Sequence, residues 1–161
     1  MRLIRERDRQ TATDGTSDDT FEARLVIELG VIDLVAGHSD PTLLAEARRH
    51  LETMSRYLVD DHFEDFHAYL DANYAFHEAI VALSGNPVLV AAFGSLSIKN
   101  VMARSFGTTA QSSRAFLAVQ RDLLVALENR DADGARTAAR TYCDLAKART
   151  RQLLALTGGQ V

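Results

Sequence analysis

The stretch Asp71-Ala-Asn-Tyr-Ala-Phe-His-Glu-Ala-Ile-Val-Ala-Leu-Ser-Gly-Asn-Pro87 constrains this chain more than any other. Phe66, Leu70, Asn73, His77, Ile80 and Ser84 recur at alternating spacings of four and three, so they share one helix face. Gly85 suits the left-handed residue that ends a helix. Asn86-Pro87 then reads as a cap and first-turn proline for the next one. Asn73 and His77 stand in the middle of an otherwise apolar stripe. A polar group turned into a core costs several kcal/mol unless it finds a partner. The rest of the chain must supply something that meets them.

Helices elsewhere are the natural expectation. The chain has two prolines and nine glycines in 161 residues, no strand-like alternation and no internal repeat. A first helix is expected from Asp19-Thr20 to Ala36, with Phe21, Leu25, Leu29, Ile32 and Val35 inward. Arg24 and Glu28 lie beside that stripe, one turn apart. Arg before Glu is the less favourable order for a surface pair, so each either partners elsewhere or forms an exposed pair. Asp40-Pro41 opens a second helix with the seam Leu44, Ala47, Leu51, Met54 and Leu58. A fourth helix is expected over Val88–Arg104, and Phe106-Gly107-Thr108-Thr109 as a connection. A fifth follows over Ser112–Asn129 and a sixth from Asp131 to Leu156, closed by Gly158-Gly159. The expected fold is all-α, an antiparallel bundle of about six helices with short loops.

Residues 1–19 divide into a basic piece, MRLIRERDRQ, and a polar piece with linker composition, and are expected to be a flexible tail. The ligand-binding domain then spans 20–157, with a C-terminal tail at 158–161. The net charge of −4 offers no global basic field for nucleic acid or anionic membrane. The single cysteine, Cys143, excludes an internal disulfide framework and suits a reducing cytoplasm. The apolar runs are too short and too interrupted for a membrane span.

Gln120 is centred on the apolar face of its helix, and Tyr142 on the face of the last one. With Asn73 and His77, three helices offer polar side chains at mid-height. Their convergence would make a buried polar centre, where bundles commonly hold ligands or metals. The acids and histidines Asp60, Asp61, His62, Glu64, Asp65 and His67 could hold a cation, but acids are favoured at a helix start in any case. Catalysis finds no support. Tyr142 and Cys143 are adjacent and point about 100° apart on a helix, and neither a phosphate loop nor a nucleophile elbow is present.

From about Phe21 to Leu156 the chain resembles the FCD domain, the effector-binding domain of FadR-type regulators in the GntR superfamily. The segment FEARLVIELGVIDLVAG resembles the family's opening R-x-x-x-E helix, with Arg24 and Glu28 in place. The segment NYAFHEAIVALSGNP resembles its (D/N)-x-x-F-H…N-P signature, and VQRDLLVALENRDADGARTAARTY its E-H-R-x-(I/L)-x-x-A-L…D-x-x-x-A pattern. The resemblance implies a sensor of small effectors, often carboxylates. It also implies DNA binding through a winged helix-turn-helix ahead of this domain. No recognition helix can be built from Met1–Thr20, so the chain is expected to be either a fragment of a regulator or a stand-alone sensor.

Family members commonly hold a divalent metal with one Asp and three His. By position these fall on Asn73, His77, Gln120 and Tyr142. One imidazole remains, so no metal is expected; a zinc or nickel ion would find only Asn73 and His77. The residues expected to line a ligand pocket are Arg24, Asn73, His77, Gln120 and Tyr142. Arg24 offers the fixed fork that a carboxylate fits. The alternative is a closed core in which these polar groups bond one another. Val88, Leu89, Val90, Phe93, Leu96 and Ile98 carry more apolar surface than one inward stripe uses, which favours a homodimer.

Overall fold

A computed structural model describes residues 2–60, 62–106 and 113–156. Among them are seven helices and one short ribbon: α1 (Arg2–Val35), α2 (Pro41–Arg56), β1 (Leu58–Val59), β2 (His62–Phe63), α3 (Phe66–Ala82), α4 (Pro87–Ser95), α5 (Ile98–Phe106), α6 (Ser113–Glu128) and α7 (Ala132–Leu156). The chain is all-α in architecture, as its composition and periodicity lead one to expect. No described helix is long and apolar enough to cross a membrane.

The caps fall on the residues whose chemistry favours them. Asp40 Oδ1 accepts the Thr42 N–H at 2.7 Å, with Pro41 filling the first helical position of α2. Asp65 caps α3 through the Ala68 N–H, and Asn86 caps α4 through the Val88 N–H. Asp131 accepts the Gly134 N–H at 2.9 Å and starts α7. Gly85 takes φ 62°, the left-handed conformation that ends α3 without a Cβ penalty.

Burial follows the stripes. Leu44, Ala47, Leu51 and Met54 of α2 pack chiefly on α3; Phe116, Leu123, Leu124 and Leu127 of α6 pack chiefly on α7. Helix α1 lies against α7, and the Cys143 thiol reaches the Phe21 carbonyl oxygen at 3.6 Å. Lys147 pairs with Glu22 and Arg151 with Asp18 along the same contact. Lys99 pairs with Asp71 between α5 and α3.

Three expectations are corrected. Helix α1 starts at Arg2, where the first helix was expected from Asp19-Thr20. The run Arg2–Gln10 holds good helix formers, Gly15 alone disfavours the helix strongly, and no proline intervenes. Between α2 and α3, Leu58 pairs with Phe63 and Val59 with His62 in an antiparallel ribbon, where no strand was expected. Asp60 turns it at φ 46°. Two residues per strand leave no alternation to read. Finally, the single helix expected over Val88–Arg104 is two. It breaks at Ser97, whose φ of 51° is left-handed. The break lets Phe93 of α4 and Ile98 of α5 both point inward. The expected connection at Gly107–Thr109 and the C-terminal tail lie outside the described residues.

A non-glycine residue in the left-handed region costs about 1–2 kcal/mol. Ser97→Gly should therefore raise stability, by up to about 1 kcal/mol, and Ser97→Val should lower it. Urea unfolding midpoints of the two variants against the parent measure the effect.

Candidate functional site

Four helices deliver one buried polar centre. Arg24 and Glu28 come from α1, Asn73 and His77 from α3, Gln120 from α6 and Tyr142 from α7. Arg24, Glu28 and Asn73 are 0% exposed, His77 and Gln120 1%, and Tyr142 2%. The five residues anticipated from sequence are thus brought together. Glu28 is a sixth that sequence reasoning left aside. Ser17, Phe21, Arg24, Glu28, Val31, Ile32 and Val35 form the buried stripe of α1, so the pair sits in its centre. The exposed-pair alternative is overturned. The signal available was the spacing itself, since Phe21, Arg24, Glu28 and Ile32 are three, four and four apart.

The hydrogen bonds fix the protonation pattern. His77 Nδ1 lies 2.6 Å from Glu28 Oε1, and His77 Nε2 lies 3.1 Å from Gln120 Nε2. An amide nitrogen can only donate, so Nε2 of the imidazole accepts and Nδ1 carries the proton toward Glu28. Gln120 Nε2 also donates to Asn73 Oδ1 at 3.3 Å, and the Tyr142 hydroxyl donates to the same oxygen at 3.2 Å. Turning the Gln120 amide over would set its oxygen against two acceptors. The ring of Tyr142 packs edge-on to His77, with centroids 4.6 Å apart, and against Phe116 at 5.1 Å.

Charge in this centre is balanced within α1. Arg24 Nε stands 3.6 Å from Glu28 Oε2, an ion pair slightly too long for a hydrogen bond. The Arg24 guanidinium lies over the Tyr142 ring at 4.2 Å. Burial pushes the Glu28 carboxyl up, but Arg24 and His77 outweigh it and hold the group below its ordinary range. Burial pushes the His77 imidazole down, against the pull of Glu28. The centre therefore holds one cation, one anion and a neutral imidazole. Burial also pushes the Tyr142 hydroxyl up, so it keeps its proton.

Several polar atoms are left over. Arg24 Nε, Nη1 and Nη2, Glu28 Oε2, Asn73 Nδ2 and Gln120 Oε1 are buried and make no well-formed hydrogen bond to a described residue, the Arg24 guanidinium instead interacting with Glu28 and Tyr142. Each such atom costs about 1–3 kcal/mol, more for a charged group. A separate groove of about 300 Å³ between the start of α2 and the end of α6 is lined by Ser39, Pro41, Leu44, Arg48 and Glu128. It shares no residue with this centre.

The donor set does not suit a divalent metal. His77 has both ring nitrogens engaged, and Asn73 Oδ1 already accepts two bonds. Gln120 and Tyr142 turn donors, not lone pairs, toward those two atoms. Among the described residues no three His, Cys, Asp or Glu gather as a metal site, at Asp60–His67 or elsewhere.

Known proteins bear on the same residues. The family model of the FCD domain matches residues 19–145, and the chain belongs to that family. Three solved structures share its fold: E. coli McbR/YncC, a GntR-family transcriptional regulator from Pseudomonas syringae, and Lar, described as controlling expression of the Listeria monocytogenes agr system. McbR/YncC superposes with a TM-score of 0.71 at 22% identity, covering 84% of this chain and 64% of that one. The P. syringae regulator gives 0.66 at 19%, covering 90% and 60%. Lar gives 0.73 at 14%, covering 84% and 63%. The chain thus spans under two thirds of each. No curated protein matches it. Membership places the chain in a class of effector-binding regulatory domains.

The linkage between His77 and folding has a definite sign. Its folded pKa is lowered, so as pH falls through about 6.5 the unfolded chain takes up the proton first. Stability present above that pH drains away below it, at up to about 1.4 kcal/mol per pH unit for one proton. Urea unfolding between pH 7.5 and 5.0 should show this slope. His50, also shifted down by burial, adds in the same direction. His77→Asn should remove its own share and leave that of His50.

Proposed function

We propose that this chain is the effector-sensing and dimerisation domain of a GntR/FadR-type transcription regulator. It binds a small, carboxylate-bearing ligand without metal, among Arg24, Asn73, His77, Gln120 and Tyr142. Residues 20–157 form the sensing unit, and a winged helix-turn-helix outside these 161 residues contacts DNA. One observation carries the reading: a fully buried guanidinium that makes no well-formed hydrogen bond to a described residue, with Glu28 3.6 Å from its Nε and the Tyr142 ring against its face. A carboxylate would meet two of the guanidinium nitrogens at once in the bidentate geometry that this group favours. Asn73 Nδ2 adds a neutral donor beside it.

A second reading draws on the bonds among Gln120, Asn73, Tyr142 and His77. In it the polar groups close the core of a structural dimerisation module. Substitution separates the two. Under the sensing reading, Arg24→Gln and Gln120→Leu each weaken binding of the carboxylate-bearing ligand at least ten-fold. Under the structural one, Gln120→Leu strands its partners at about 1–3 kcal/mol with no binding to lose. Calorimetric titration with a panel of short-chain acids, read beside thermal unfolding, decides between them.

The dimer reading is supported by α4. Of its nine residues only Phe93 is buried. Val88 is 72% exposed, and Leu89 and Val90 are half-buried. Such surplus apolar surface marks an interface. Light scattering at tens of micromolar should give twice the chain mass, and Val88→Glu with Leu89→Glu should return it to the monomer mass.

A further inference from the structure

The leftover atoms specify more than a carboxylate. Four of them, Arg24 Nε, Nη1 and Nη2 and Asn73 Nδ2, are donors that need an acceptor. The other two, Glu28 Oε2 and Gln120 Oε1, are acceptors that need a donor. A simple carboxylate answers the first set and offends the second. It brings only lone pairs to a site that already holds two buried oxygens without a hydrogen bond, one of them charged and paired with Arg24.

Charge balance narrows the donor. Arg24 and Glu28 cancel, and His77 is neutral with both nitrogens engaged. A monoanion entering this enclosure leaves one uncompensated negative charge in a buried site, which is costly without a counter-ion. A hydroxy acid supplies a donor but the same excess charge. A zwitterion leaves the total at zero and gives each ligand charge an opposite one. Its carboxylate meets the Arg24 guanidinium, and its ammonium meets Glu28 Oε2, with Gln120 Oε1 as a second acceptor. The two protein charges stand 3.6 Å apart at Arg24 Nε and Glu28 Oε2, side by side on one helix. A ligand able to serve both must carry its own two charges equally close, as the groups on a single α-carbon are.

Resting on the sensing role given above, we propose that the buried centre recognises a free α-amino acid, Arg24 taking its carboxylate and Glu28 with Gln120 taking its ammonium. Glu28 is suited to this because its Oε1 is anchored by His77, which leaves Oε2 fixed beside Arg24 and without a hydrogen bond. Asn73 and His77 both accept from the Gln120 nitrogen, which turns its oxygen away from them and leaves it without a hydrogen bond.

The test uses the whole chain and matched ligands. The twenty standard L-amino acids are each compared with the corresponding 2-hydroxy acid and the deaminated acid, by thermal shift and then calorimetry at pH 7. At least one amino acid should bind, with both of its analogues and its N-acetyl derivative at least ten-fold weaker. Glu28→Gln should erase that preference; where it fails to fold, the ligand-side comparison still decides. Acids and hydroxy acids binding as well as their amino counterparts would overturn the amino-acid assignment and leave the carboxylate reading standing. Failure of every acid, amino or not, would remove both.

Discussion

Two opposite charges one turn apart on α1, both sealed from water, set the terms for everything packed around them. Desolvating an ion pair costs several kcal/mol per charge, and a gap of 3.6 Å returns only part of it. The remainder must come from neighbours. His77 donates to one oxygen of Glu28, and the face of Tyr142 lies against the Arg24 guanidinium. Gln120 and Asn73 then hold His77 and Tyr142 in the orientations this requires. Four helices are thus tied to a centre that no one of them could support alone.

Seen as stability alone, this is a poor arrangement. A buried pair of this kind can commonly be replaced by apolar side chains of similar volume at no loss. The buried rings of Phe21, Phe76 and Phe116, which lie against Arg24, His77 and Tyr142, would carry such a replacement easily. What an apolar core could not do is offer a directional, charge-balanced set of unused donors and acceptors. An enclosed site of low polarity also makes each bond to a ligand stronger than it would be at the surface. The leftover atoms of Arg24, Glu28, Asn73 and Gln120 therefore have a reason to exist in a sensor that they lack in a scaffold.

Much of this was legible in the amino-acid sequence. The stripe through Asn73 and His77, the stop at Gly85-Asn86-Pro87 and the caps at Asp40 and Asp131 are local signals, and the structure follows each. Gln120 and Tyr142 declared themselves by standing where leucines would be expected. Glu28 did not, because a charged pair one turn apart reads as solvated surface until the packing of α7 over it is known. Ser97 gave no warning either. It adopts a left-handed backbone without being glycine, because two helices need to turn there to bury Phe93 and Ile98. The helical backbone of Arg2–Asp19 was hidden by linker-like composition, which speaks to missing hydrophobic periodicity and not to backbone preference.

The most direct measurement is a crystal structure of the purified chain, soaked with the amino acid that binds it best and fine enough to place individual waters. The account predicts an acceptor from outside the protein within hydrogen-bond distance of the Arg24 guanidinium, and a donor from the same molecule beside Glu28 Oε2. A guanidinium satisfied wholly by protein oxygens, with no molecule in the centre, would contradict it.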